Sequence, residues 1–93
     1  MHYLLLYDVV PDYLERRGAH RDAHLHLVRH AHARGEIVMA GALAEPADGA
    51  VLVFRGDDAT VAERFAEADP YVRNGLVTQW RVRQWIVVVG GED

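Results

Sequence analysis

The chain has no cysteine, no lysine and no serine among its 93 residues. Without cysteine there is neither a disulfide framework nor a thiolate nucleophile, and Cys-ligated zinc or iron-sulfur centres are excluded. Ser-based triads are excluded as well. Thr60 and Thr78, the only threonines, carry no activating motif. No apolar run approaches the ~20 residues of a membrane span. The opening run His2 to Val10 lacks a basic leader and stops too early for a signal peptide, so the expected compartment is the cytoplasm. All ten basic residues are Arg, set against fourteen acidic ones, for a formal charge of −4. That field repels a phosphate backbone, and no nucleic-acid partner is expected.

What is present is apolar. Hydrophobic residues make up 51% of the chain, more than one small core readily hides, so part of that material belongs to a subunit interface. Residues 1–93 read as a single domain, since no linker, repeat or low-complexity segment divides them. His2 to Val10 predicts a strand that Pro11-Asp12 ends. Ala19 to Arg34, free of internal Gly and Pro, predicts a long helix stopped by Gly35, with Ala23, Leu27, Ala31, Leu25 and Val28 on adjoining positions. Tyr13 to Arg17 forms a separate turn, because Gly18 interrupts a continuous helix at a cost of ~1 kcal/mol.

Glu36 to Ala44 and Ala50 to Arg55 flank the turn Glu45-Pro46-Ala47-Asp48-Gly49 as a hairpin. Asp58 caps a second helix running to Ala68, with Val61, Phe65 and Ala68 along one side. Leu76 to Val89 contains the last strand. The order β-α-β-β-α-β predicts an α+β, ferredoxin-like antiparallel sheet with both helices on one face. A sheet with one face in water alternates apolar and polar residues, yet Tyr3 to Tyr7, Ile37 to Ala40 and Val51 to Phe54 are apolar at both parities. With no helix left to cover the second face, a second copy packed sheet to sheet is the expected partner.

Asp69 breaks a local rule. It closes the run Asp58 to Ala68, where the helix terminus is partially negative, and Pro70 then turns its backbone toward an extended conformation. Capping accounts for this: Asp69 as N-cap, Pro70 at N1 and Gly75 as stop describe a short helical turn, Pro70 to Asn74. A role at a functional site is compatible with capping, since a carboxylate offers about four lone-pair positions.

Six histidines are an unusual count, and protonating all six would carry the formal charge from −4 to +2. His20 with His24, and His26 with His30, have the i,i+4 spacing at which two imidazoles share a metal. No third ligand and no His-Glu-x-x-His pattern accompanies them, and they read as solvated helix residues, so no metal or cofactor is expected. At about 100° per residue, His24 lies near Leu27, Val28 and Ala31, whereas His26 lies about 200° away. Trp80 and Trp85 have an odd separation that places them on opposite faces of a regular strand.

The segments Arg21-Asp22-Ala23-His24, Ala40-Gly41 and Ala68-Asp69-Pro70-Tyr71-Val72, the last ahead of Gly75, resemble the YciI-like (YCII-related) family over nearly the whole chain. The resemblance implies a dimeric α/β barrel of ferredoxin-like subunits, a homodimer or a higher assembly of the same chain. It implies an acid-base pair at His24 and Asp69, with Arg21, Gly41 and Tyr71 as substrate-contact positions and Gly41 kept small so as not to crowd a cavity. Asp22 stands where the family tends to have Pro. The implied activity is proton transfer or elimination, of a lyase or isomerase type, on a small organic molecule, cyclic and aromatic-derived ones included. A ligand-binding accessory dimer with a structural His-Asp pair is the alternative.

Overall fold

The computed structural model describes residues 1–91. Its elements are β1 (His2–Val9), α1 (Tyr13–Arg16), a 3₁₀ turn (Arg17–Ala19), α2 (Arg21–Ala33), β2 (Ile37–Ala42), β3 (Gly49–Arg55), α3 (Thr60–Ala68), α4 (Pro70–Arg73) and β4 (Val77–Trp85). The four strands form one sheet in the order β2-β3-β1-β4, every neighbouring pair antiparallel. This is the ferredoxin-like topology expected from the element order.

Element ends follow local chemistry. The first long helix begins at Arg21, two residues later than expected, because the chain around Gly18 tightens into the 3₁₀ turn. Asp22 in its first turn complements the helix dipole. Gly35 then takes φ +81°, a left-handed conformation that suits glycine. α3 begins at Thr60 rather than at the residue after Asp58, and the Asp58 carboxylate accepts from the Thr60 amide at 2.9 Å. The β2–β3 hairpin is shorter than expected, with 43–48 as its loop.

Register assigns each strand residue to a face. Tyr3, Leu5 and Tyr7 of β1 pair with Phe54, Leu52 and Ala50 of β3. The large residues of this set pack with Tyr13, Ala31, Ala62, Phe65, Ala66 and Tyr71 from the helices to form the core. The alternate positions Leu4, Leu6, Val51, Val53 and Met39 share the opposite face, where Arg81 and Arg83 of β4 stand across from Leu6 and Leu4. Met39 is 65% exposed there. Trp80 pairs with Tyr7 and Trp85 with His2, so the two tryptophans do lie on opposite faces.

Candidate functional site

α4 is one turn long, and its geometry is set by the residue before it. Asp69 adopts φ −68° and ψ 123°, ending α3 in an extended conformation, while its Oδ1 accepts the Tyr71 amide at 3.0 Å. Pro70 at N1 has no amide to leave unpaired. The capping reading therefore holds. The same carboxylate makes two further bonds, with the Tyr7 hydroxyl donating to Oδ2 at 2.7 Å and His24 Nδ1 lying 2.8 Å from Oδ1. Asp69 has 0% exposure. Three donors from β1, α2 and α4 thus converge on a fully buried carboxylate.

That convergence fixes the tautomer of His24. An ionised carboxylate only accepts, so Nδ1 carries the hydrogen and the neutral ring has its lone pair at Nε2. The imidazole lies flat on Tyr71, with ring centroids 3.8 Å apart and planes inclined by 8°. Tyr13 meets the Tyr71 ring edge-on at 5.7 Å. His24 remains 14% exposed, and among the described residues Nε2 has no hydrogen-bond partner.

His24 lines a cavity of about 240 Å³ between the helices and the sheet, together with Tyr7, Tyr13, Arg17, Arg21 and Tyr71. Its floor is small and apolar, built from Ala40, Ala42 and Ala50. The volume is a little below the ~300–1,000 Å³ of drug-sized ligand sites and suits a single ring. Burial, then the Asp69 charge, then the hydrogen bond to it hold the Tyr7 phenol well above its ordinary value near 10. The Tyr71 phenol is raised too, first by burial and then by Tyr13, with Arg21 and Arg17 pulling the other way. Both stay protonated at neutral pH.

The structure brings His24, Asp69, Arg21 and Tyr71 to one site. Gly41 borders the cavity only through its backbone. A Cβ built there meets no atom of the chain within 4 Å, and its pairing with Val51 directs it to the opposite face. On this register Ala40 and Ala42, paired with Leu52 and Ala50, are the neighbours of Gly41 whose side chains share the core face of the sheet and line the cavity. Sequence reasoning missed Tyr7, Tyr13 and Arg17. A signal for the last two exists: Tyr13, Arg17, Arg21, His24 and Val28 keep helical spacing through the Gly18 interruption and form one wall. Among the described residues no group of three His, Asp or Glu is placed to hold a metal, and the tilted rings of His26 and His30 lie 4.2 Å apart on the exposed side of α2.

The model of the YCII-related domain matches residues 1–86. The chain belongs to the YCII-related family. A search of curated proteins gives this YCII-related chain no match. Among solved structures it is similar to the 5-chloro-2-hydroxyhydroquinone dehydrochlorinase (TftG) of Burkholderia phenoliruptrix AC1100, in complex with 2,5-dihydroxybenzoquinone. The TM-score is 0.77 at 22% identity, covering 92% of this chain and 94% of that one, a likeness of fold. No helix among the described residues of this YCII-related chain is long and apolar enough to cross a membrane.

The buried phenol makes the site sensitive to base. Because folded Tyr7 holds its proton more tightly than the unfolded chain does, its contribution to stability is complete below about pH 10 and is lost as pH rises beyond it. Urea-unfolding free energies measured from pH 9 upward should fall, and Tyr7→Phe should shallow that fall by up to about one proton's worth, ~1.4 kcal/mol per pH unit. At neutral pH the same variant should cost ~1–3 kcal/mol, since Asp69 loses a donor. Parallel slopes in the two proteins would contradict the buried-phenol account.

Proposed function

We propose that this YCII-related chain is a small enzyme in which His24 moves a proton and Asp69 orients and polarises it. The observation that carries the reading is the division of labour on one imidazole, with Nδ1 committed to a buried carboxylate and Nε2 unpaired on a ring that lines a cavity. In an elimination, Nε2 would take a proton from the substrate, the pair left behind would form the new double bond, and the leaving group would depart with its own bonding pair. In an isomerisation the proton would return to a different atom. Either step needs only side chains. The resemblance of fold to a dehydrochlorinase supports a lyase-type reaction on an aromatic-derived molecule, and the cavity volume agrees with a single ring.

Tyr71, stacked on the imidazole, and Arg21, beside it on the cavity wall, are proposed to contact the substrate. Chloride release from 5-chloro-2-hydroxyhydroquinone is the first assay, with deuterium uptake from solvent as the second. His24→Ala should lower kcat/KM by ~100- to 10,000-fold, the range of general acid-base catalysis. Asp69→Asn should lower it comparably while the protein stays folded, because Asn also caps. Undiminished turnover in His24→Ala would contradict the proposal. A folded protein that binds ring compounds but turns over none would favour a ligand-binding module, for which the Asp69 cap on Tyr71 is already a sufficient structural reason.

The chain is further proposed to act as a homodimer joined through its sheet. Leu4, Leu6, Val51, Val53 and Met39 form an apolar surface on the face away from the helical core, which is the face a second copy would cover. Sedimentation at micromolar concentration should give twice the chain mass, and Val51→Asp should give the single-chain mass. A wild-type protein sedimenting as one chain would contradict the dimer.

A further inference from the structure

The charges on the cavity wall are of one sign. Among the described residues two charged ones line it, Arg17 and Arg21, and no Asp or Glu does, although acidic residues outnumber basic ones in the chain by fourteen to ten. Among the described residues neither arginine forms an ion pair with a carboxylate. Asp22, next in sequence to Arg21, is not part of the wall. Arg17 is held in place by the Tyr13 ring, with its guanidinium carbon 5.5 Å from the ring centre. Arg21 is exposed and Arg17 half-buried, and both line the rim of a cavity whose other walls are largely apolar.

A second observation points to a ligand at the same place. Tyr71 is 2% exposed and lines the cavity, yet among the described residues its hydroxyl makes no hydrogen bond of good geometry, with Tyr13 as the side chain that bears on it. A buried phenol is ordinarily paired, and one left alone costs free energy that an arriving acceptor would recover. Arg17, Arg21 and Tyr71 line the same cavity, and the two guanidinium charges oppose the rise that burial imposes on the Tyr71 phenol. Two guanidinium groups and one phenol are all donors at neutral pH, and the complement to a set of donors is an acceptor carrying negative charge.

We infer that Arg17, Arg21 and Tyr71 form an anion-recognition edge of the cavity, so that the molecule it takes is a small ring bearing a negatively charged oxygen group. Arg17 and Arg21 anchor that group while the ring sits over Ala40, Ala42 and Ala50. On this geometry Arg17 is a specificity determinant beyond the acid-base pair. The inference rests on the cavity being the ligand site, but it is tested by binding rather than turnover.

Calorimetric titrations of the intact protein with benzoate, with 4-nitrophenol in its ionised form, and with neutral benzamide separate charge from shape. At least one anion should bind about tenfold or more tightly than benzamide, and whichever of the two is preferred identifies the group as carboxylate or ring oxyanion. Arg17→Gln and Arg21→Gln should each erase most of that preference, Arg17→Lys should restore part of it, and added salt should weaken the anion but not benzamide. His24→Ala should keep the preference. Equal affinity for benzamide and the anions, no binding of any probe, or a preference indifferent to both arginine variants would overturn the inference. An inactive protein that still prefers the anion would fail the acid-base reading alone, and an active one that binds benzamide equally would fail this inference alone.

Discussion

A carboxylate removed from water is unfavourable unless the protein replaces its hydration, and at Asp69 it does so with three donors drawn from three elements. Tyr7 belongs to the central strand, His24 to the long helix and Tyr71 to the one-turn helix that Asp69 itself starts. The interaction therefore locks the relative position of β1, α2 and α4, and the cavity is the space left between them. Removing the carboxylate would release the cap, the imidazole and the phenol together, which is why a conservative change to Asn and a truncation are expected to differ so much at this position. Pro70 assists by ending α3 where the carboxylate turns inward, so a position that disfavours an acid on helix-dipole grounds becomes the anchor of the site.

The arrangement separates two kinds of polar chemistry. On the buried side the donors are matched to the acceptor and nothing is left over. On the cavity side the opposite holds among the described residues, with an unpaired Nε2, a Tyr71 hydroxyl that makes no hydrogen bond of good geometry and two arginines without carboxylates. Folding stability comes from the first set, and the unfilled hydrogen-bonding capacity of the second is what a ligand can use. The aromatic stack of His24 on Tyr71, buttressed by Tyr13, keeps the imidazole from rotating out of the plane that both sets share.

Much of the fold is legible in the sequence because its signals are local. Strands apolar at both parities, the Gly35 stop and the Asp69-Pro70 break mark the elements, and their order selects the ferredoxin-like topology. The position of Asp69 is legible for the same reason, since a helix terminus and a proline are neighbours in sequence. What is not legible depends on pairing across the sheet and between helices. Tyr7 reads as one more residue of an apolar strand, and only the register that sets it beside Ala50 and Trp80 reveals a phenol aimed at Asp69. Gly41 shows the same limit in reverse, because the face to which a Cβ points follows from a bulge-shifted pairing that residue types do not disclose. His24 stands out among six histidines through a family motif, and its own surroundings add only its place beside Leu27, Val28 and Ala31 on the helix.

The central claim is that Asp69 holds His24 as the Nδ1–H tautomer, leaving a bare Nε2 at the cavity. Nitrogen-15 correlation spectra of the histidine rings, recorded at a pH where His24 is neutral, test it most directly. The account predicts a protonated Nδ1 in slow exchange with water and an Nε2 shift of the unprotonated type, with the pattern lost in Asp69→Ala. A neutral His24 protonated at Nε2, or one averaging between tautomers as a free imidazole does, would contradict it.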